Sequence, residues 1–253
     1  EPEVRAAAVA NAVKIVQAVS ESVGHEMILR TVLQLVDDAS THVRLALGTC
    51  LSSLAPAIGK DLTARELLPV LLTLLRDEET DVRLAVLNSM DPVQETIGVK
   101  LLGENILPAV LSLTTDAKWR VRLGVVSALP KLAAHLASEK FTPEILDLCT
   151  KMLVDPVFNI RRATIDFLAE VIDISRRGGS ADAASWVLQR LKSMSEAATY
   201  EPRLTAALAL ESLCKHSAAE GGILEMSTMR SQVIPTLVKL SRDPIPNVRI
   251  AVS

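Results

Sequence analysis

Hydrophobic and polar positions alternate along this chain with a helical period that is itself nested in a longer one. From Val43 the apolar or small residues fall at Ala46, Leu47, Cys50, Leu51 and Leu54, tracing one face of a helix. The same face returns as Val82, Ala85, Val86, Ser89, Met90 and Val93, then from Val121 to Leu132, and from Ile160 to Val171. Small residues at its second position (Ala46, Ala85, Gly124, Ala163) would let a neighbouring helix approach closely. An arginine follows each opening residue, at 5, 44, 83, 122 and 161, a constant step of 39 residues. Later copies, Arg203 and Arg249, come 42 and 46 residues on. A period of this size marks stacked helical repeats.

Each of these helices is preceded by another of about three turns: residues 27–36, 66–76, 106–114, 143–154, 184–194 and 229–241. Pro69, Pro108 and Pro235 sit a few residues into three of them, so those helices should bend or start late. The expected organisation is one continuous array over 1–253. It has a partial repeat at 1–23, full repeats at 24–62, 63–101, 102–140, 141–182 and 183–228, and a truncated one at 229–253. Its connecting loops lengthen at Arg176–Ser180 and Ala218–Ser227, which accounts for the slipped register. Because it begins without Met and stops just after Arg249, the sequence reads as a piece of a longer array.

The turn inside each repeat carries an acid six residues before the arginine: Asp38, Asp77, Asp116, Asp155 and Asp243 stand before Arg44, Arg83, Arg122, Arg161 and Arg249. Repeated along a stack, these pairs would form a structural ladder of charge-assisted hydrogen bonds. Glu196, seven before Arg203, breaks the rule. Three residues before each arginine lies a more informative column: Pro2, Thr41, Thr80, Trp119, Phe158, Tyr200 and Pro246. Three of the chain's six aromatic residues fall in it, in consecutive repeats, although turns ordinarily exclude bulky apolar groups. With Lys118 and Arg120 alongside, Trp119, Phe158 and Tyr200 have the composition of a protein-binding hot spot. Trp186, Phe141 and Phe167 lie off the column and read as packing residues.

Composition narrows the alternatives. Hydrophobic residues make up 49% and aromatic ones only 2%, so the core is aliphatic and an all-α fold is expected. A net charge of −3, from 27 basic and 30 acidic residues, argues against a polyanion binder. Cys50, Cys149 and Cys214 lie on different repeats and read as small buried hydrophobes of a reducing compartment. The longest strongly apolar run, Leu67–Leu75, is nine residues and contains Pro69, far short of the roughly 20 that span a bilayer. The expected setting is the cytoplasm, with the nucleus as a second compartment. No phosphate loop, nucleophile elbow or zinc-helix motif is present, and the four histidines are scattered, so no catalytic, cofactor-binding or metal-ligating residue is assigned.

The segments Leu67-Leu68-Pro69, Glu79-Thr80-Asp81-Val82-Arg83-Leu84, Asp91-Pro92-Val93-Gln94-Glu95-Thr96-Ile97-Gly98, Asp116-Ala117-Lys118-Trp119-Arg120-Val121-Arg122-Leu123, Leu153 to Arg161 and Asp243 to Arg249 together carry a resemblance. The chain resembles HEAT-repeat proteins, and within them the scaffold (structural A) subunits of protein phosphatase 2A, over their carboxy-terminal half. The resemblance implies an α-solenoid of antiparallel helix pairs that is not an enzyme. It implies two protein partners, the phosphatase catalytic subunit and a regulatory B-type subunit. By that likeness Trp119, Arg120, Lys118, Phe158 and Tyr200 match ridge positions facing the catalytic subunit, continued by Ile245 and Pro246. Phe158 stands where a tyrosine is usual, and Glu201-Pro202-Arg203 departs from the usual turn. Other HEAT adaptors, of nuclear transport or of microtubules, and a HEAT-type enzyme are the competing readings.

Overall fold

The computed structural model describes residues 1–18, 22–136, 141–177, 182–218 and 222–252, and every regular element among them is helical. Gly178–Ser180 and Gly221 of the two long loops, and the side chains of His25, His135 and Phe141, lie outside the described set. The chain divides into two compact units, Glu1–Leu136 and Ala137–Ser253.

The first unit holds α1 (Pro2–Ala18), α2 (Ser22–Leu33), α3 (Thr41–Leu62), α4 (Leu68–Leu74), α5 (Thr80–Asn88), α6 (Asp91–Ile97), α7 (Val99–Leu101), α8 (Leu107–Ser112) and α9 (Trp119–Leu136). Helices that open at the repeated valine–arginine pair lie side by side: α3 packs on α1, α5 and α6 on α3, and α9 on α5. Their valines, Val43, Val82 and Val121, are fully buried. At Gly124 a Cβ atom would come 3.1 Å from Leu84 Cδ2 and 3.4 Å from Leu87 Cδ1, so α9 lies close against α5 and an added methyl group would require these leucine side chains to shift by a few tenths of an ångström.

Proline shapes the partner helices in a regular way. Thr63–Leu67 and Leu102–Ile106 each form a π-turn immediately before Leu68-Pro69 and Leu107-Pro108. In both, the residue before the proline donates its N–H five residues back, Leu68 to Thr63 O and Leu107 to Leu102 O. A proline has no N–H and its ring collides with the carbonyl four residues earlier, so the helix accommodates one extra residue in the turn. Just upstream, Gly59 (φ 77°) and Gly98 (φ 80°) turn the chain from one repeat into the next. The axis bends by 119° at the second. A break at Ser89–Met90 divides α5 from α6 ahead of Pro92, and Ser89 Oγ donates to Gly48 O across the repeat boundary.

The second unit holds α10 (Phe141–Met152), α11 (Phe158–Arg177), α12 (Asp182–Ser195), α13 (Tyr200–Ser217), α14 (Met226–Thr228), α15 (Ile234–Leu240) and α16 (Pro246–Ile250). Again α11 packs on α13 and α13 on α16, with α10 and α12 behind them. Ile160, Phe167, Leu168, Leu213 and Val248 supply its core. The π-turn recurs at Met229–Val233 before Ile234-Pro235, with Ile234 donating to Met229 O. No single helix is long and apolar enough to cross a membrane, among the described residues. One bent pair, Asp91–Ile97 with Val99–Thr115, passes on composition, and its apolar side chains, such as Val93, Ile97, Leu102 and Val110, are buried in the unit.

Candidate partner-binding ridge

The turns inside the repeats are held by their own arginines. Arg44 Nη1 donates to Asp38 O at 2.8 Å while its Nε and Nη2 grip Asp77 at 2.7 and 3.1 Å. One guanidinium thus closes its own turn and ties it to the next. Arg5 grips Asp38 through Nε and Nη2 at 2.6 and 2.8 Å, and Arg83 Nε lies 3.0 Å from Asp116. In the second unit Arg203 holds Asp243 at 2.7 and 3.1 Å and also donates to Ala197 O. Each aspartate additionally accepts the backbone N–H two residues on, as Asp77 does from Glu79 and Asp243 from Ile245. Hydrogen bonds from Arg5 and from the Ser40 N–H hold the Asp38 carboxyl down at about 2. The Arg203 guanidinium also lowers Asp243 below its ordinary value. Burial pushes Asp77 upward, but Arg44 and the Glu79 N–H together outweigh it and leave this group below its ordinary value too.

The expected rung at Arg161 needs correction. Its Nη1 donates to Asp155 O and Pro156 O at 2.7 and 3.1 Å, but among the described residues no carboxylate meets its other edge, and Nε is buried without a hydrogen-bond partner. The reason is one residue in the following turn: Ala197 occupies the aspartate position, accepting from Arg203 as Asp116 accepts from Arg122. Glu196, one place earlier, points to Lys239 instead, at 3.5 Å. Arg249 likewise contacts only the carbonyls of Asp243 and Pro244.

The aromatic column lies where the turns end. Pro2, Thr41, Thr80, Trp119, Phe158, Tyr200 and Pro246 are each the first residue of a helix, α1, α3, α5, α9, α11, α13 and α16. A side chain there has no preceding turn to cover it, and Trp119, Phe158 and Tyr200 are 36%, 48% and 40% exposed. Arg120 stacks over the Trp119 ring at 5.1 Å from its centroid, with Lys118 exposed beside it. Arg161 stacks over Phe158 at 5.5 Å. Such exposed cation–aromatic pairs contribute about 0.5–1 kcal/mol each and fix the ring's orientation. In the second unit Phe158 and Tyr200 open adjacent packed helices, and Ile245, half-buried, and exposed Pro246 open the next one. Off the column, Phe167 is buried in the core and Trp186 is half-buried.

Two features escape sequence reading. The first unit's turns carry exposed acids, Asp37, Glu78, Glu79 and Asp81, before the basic and aromatic turn of Lys118, Trp119 and Arg120. An open groove of about 590 Å³ lies among the acidic ones, lined by Asp37, Arg44, Arg76, Asp77 and Glu78. The second is the stack of Arg161 on Phe158. The sequence shows the accompanying alanine at the aspartate position but not the stack. No cluster of metal-ligating side chains occurs among the described residues. Burial pushes the Cys149 thiol up to about 12 and raises Cys50 and Cys214 as well, which keeps all three protonated at neutral pH.

Solved structures with this arrangement are helical-repeat proteins. Cex1p superposes with a TM-score of 0.58 at 14% identity, over 96% of this chain and 50% of its own, so the chain spans half of its length. The archaeal HEAT-like repeats protein from Thermococcus onnurineus NA1 gives 0.52 at 16% identity, over 96% and 89% of the two chains. A chain of the Pds5-Scc1 complex gives 0.59 at 13% identity, over 91% and 34%. At these identities the likeness establishes the fold, an all-α HEAT-type solenoid. No curated protein matches the sequence. A family model does: the PIK3R4-like middle domain matches residues 14–217, which is most of the chain. This HEAT-repeat chain belongs to the PIK3R4-like middle-domain family.

Proposed function

We propose that the chain is a non-enzymatic scaffold that docks a folded protein partner on the turn ridge formed by its helix starts. One observation carries this reading: aromatic side chains occupy the first helical residue in three successive repeats, stay more than a third exposed, and two of them carry a stacked guanidinium. Aromatic and arginine residues dominate the energetics of protein interfaces. The partner named by the sequence resemblance is the phosphatase 2A catalytic subunit, engaged by Lys118, Trp119, Arg120, Phe158, Tyr200, Ile245 and Pro246, with a B-type regulatory subunit on the same array. Repeats joined on one chain in the cytoplasm would raise the effective concentration of one partner near the other.

The test is affinity capture from a cytosolic extract by the wild-type chain and by a Trp119→Ala, Phe158→Ala, Tyr200→Ala variant, with circular dichroism to compare helical content. Equal helicity and at least a tenfold loss of the phosphatase catalytic subunit are expected. Capture unchanged by the triple substitution overturns the site. A second reading is favoured by the family match, which is to a PIK3R4-like middle domain and not to a phosphatase scaffold. On that reading the same ridge holds a different protein, and mass spectrometry of the captured partner decides between them.

A further inference from the structure

Arg161 is held in the position that its counterparts use to grip an aspartate, yet the aspartate is missing. Its Nη1 donates to the carbonyls of Asp155 and Pro156, as Arg83 and Arg249 do to the first two carbonyls of their own turns. In Arg5, Arg44 and Arg203 the remaining edge, Nε with Nη2, clamps both oxygens of one carboxylate. In Arg161 that edge meets no carboxylate among the described residues; its buried Nε, like that of Arg83, makes no hydrogen bond, but Arg83 faces Asp116 at 3.0 Å. A buried donor left unpaired is costly, so the site favours any carboxylate that can complete it. Of the arginines that open this helix and the next, Arg162 pairs with Asp166 and Arg203 with Asp243. One guanidinium edge that meets no carboxylate, with one exposed ring under it, suits one acidic side chain of a protein, and offers little to a polyphosphate or nucleic acid, which needs several.

We infer that the notch formed by Arg161, Phe158 and Ala197 receives an aspartate or glutamate from an acidic, aromatic-bearing segment of the docked protein, which completes in trans the rung that this chain omits. The inference rests on the ridge reading and adds the chemistry of its partner. The carboxylate takes the place that an aspartate side chain holds in the other turns and that Ala197 does not supply here. Apolar or aromatic residues flanking it meet Phe158 and Tyr200, which open the adjacent helices α11 and α13. Where the ladder is complete, as at Arg44, the same edge is saturated within the chain and has nothing to offer.

The test uses fluorescence anisotropy with a fluorescein-labelled peptide of alternating Glu and Phe with glycine spacers, and a Gln counterpart. The wild-type chain should bind the Glu peptide at least tenfold more tightly than the Gln peptide. Ala197→Asp supplies the missing carboxylate from within, so it should abolish that preference while raising the thermal midpoint, and Arg161→Lys should abolish it by removing the fork. Equal affinity for the two peptides, no binding of either, or full Glu-peptide binding by Ala197→Asp overturns the inference. Capture of the natural partner separates the two readings. Loss with Phe158→Ala but not with Ala197→Asp sinks the notch and leaves the ridge standing, whereas no loss with either sinks both.

Discussion

At the scale of single residues, Gln94 shows what the sequence pattern conceals. It occupies the buried face that Ala55, Ala133, Ile172 and Cys214 fill in other repeats, eleven residues after the arginine. Its side chain is 2% exposed, and neither its Oε1 nor its Nε2 has a hydrogen-bond partner. The inward face that helical periodicity traces from Val82 ends at Val93 and does not include it, and periodicity says nothing of whether its amide finds a partner, because that depends on neighbours from another repeat. A buried amide without hydrogen bonds costs about 1–3 kcal/mol. Gln94→Met keeps the length and volume while removing the polar atoms. It should therefore stabilise the chain by about 1 kcal/mol or more, read as an upward shift in the urea midpoint at unchanged slope. A lower midpoint would mean that the amide is satisfied by water. Ala197 is the converse case: its departure from the aspartate column is visible in the sequence, but the stacking of Arg161 on Phe158 is set by side-chain geometry that no spacing encodes.

At the scale of elements, proline and glycine decide where helices bend, and both effects recur with the repeat. Sequence reasoning places Pro69, Pro108 and Pro235 near the starts of bent helices. It does not anticipate that the bend takes the form of a π-turn, since that requires knowing that the helix already runs four or five residues upstream. The glycines are cleaner. Gly59 and Gly98 have φ of 77° and 80°, while a Cβ atom at Gly59 would meet nothing within 4 Å and one at Gly98 only Lys60 Nζ at 3.8 Å. Sterics with neighbours therefore play no part, and the whole penalty of a side chain lies in the backbone conformation. With ψ at 167°, Gly98 lies in a region essentially reserved for glycine, and Gly98→Ala should cost about 1–3 kcal/mol. Ala at Gly48 tests another mechanism, since its Cβ would lie 3.1 Å from Val86 Cγ2 with helical backbone retained. If Gly98→Ala leaves the thermal midpoint unchanged, the turn tolerates a different path and the positive φ is not what fixes it.

At the scale of the whole molecule, the repeat period makes the fold class legible, because stacking is the one way that amphipathic helix pairs of this length can bury their apolar faces. The ridge is legible only as a column; its exposure follows from the helix starts, which the structure supplies. What the repetition does energetically is tie stability to acid–base equilibrium at several places together. Asp38, Asp77 and Asp243 all titrate below their ordinary value in the folded chain. Unfolded, they would take up protons near pH 3.9. Below that pH the unfolded state binds more protons than the folded one, so stability falls as pH falls. The stabilisation is complete above about pH 5 and is lost through the window from about 4 to about 2, the value reached by Asp38. Thermal midpoints by circular dichroism should stay level from neutral pH to about 5 and then drop steeply across that window. Asp77→Asn removes one proton-linked rung and should lower the midpoint at neutral pH while making the acid limb shallower. A midpoint that holds steady down to pH 3, or an Asp77→Asn profile parallel to the wild type, would show that the arginine rungs contribute little to holding the repeats together.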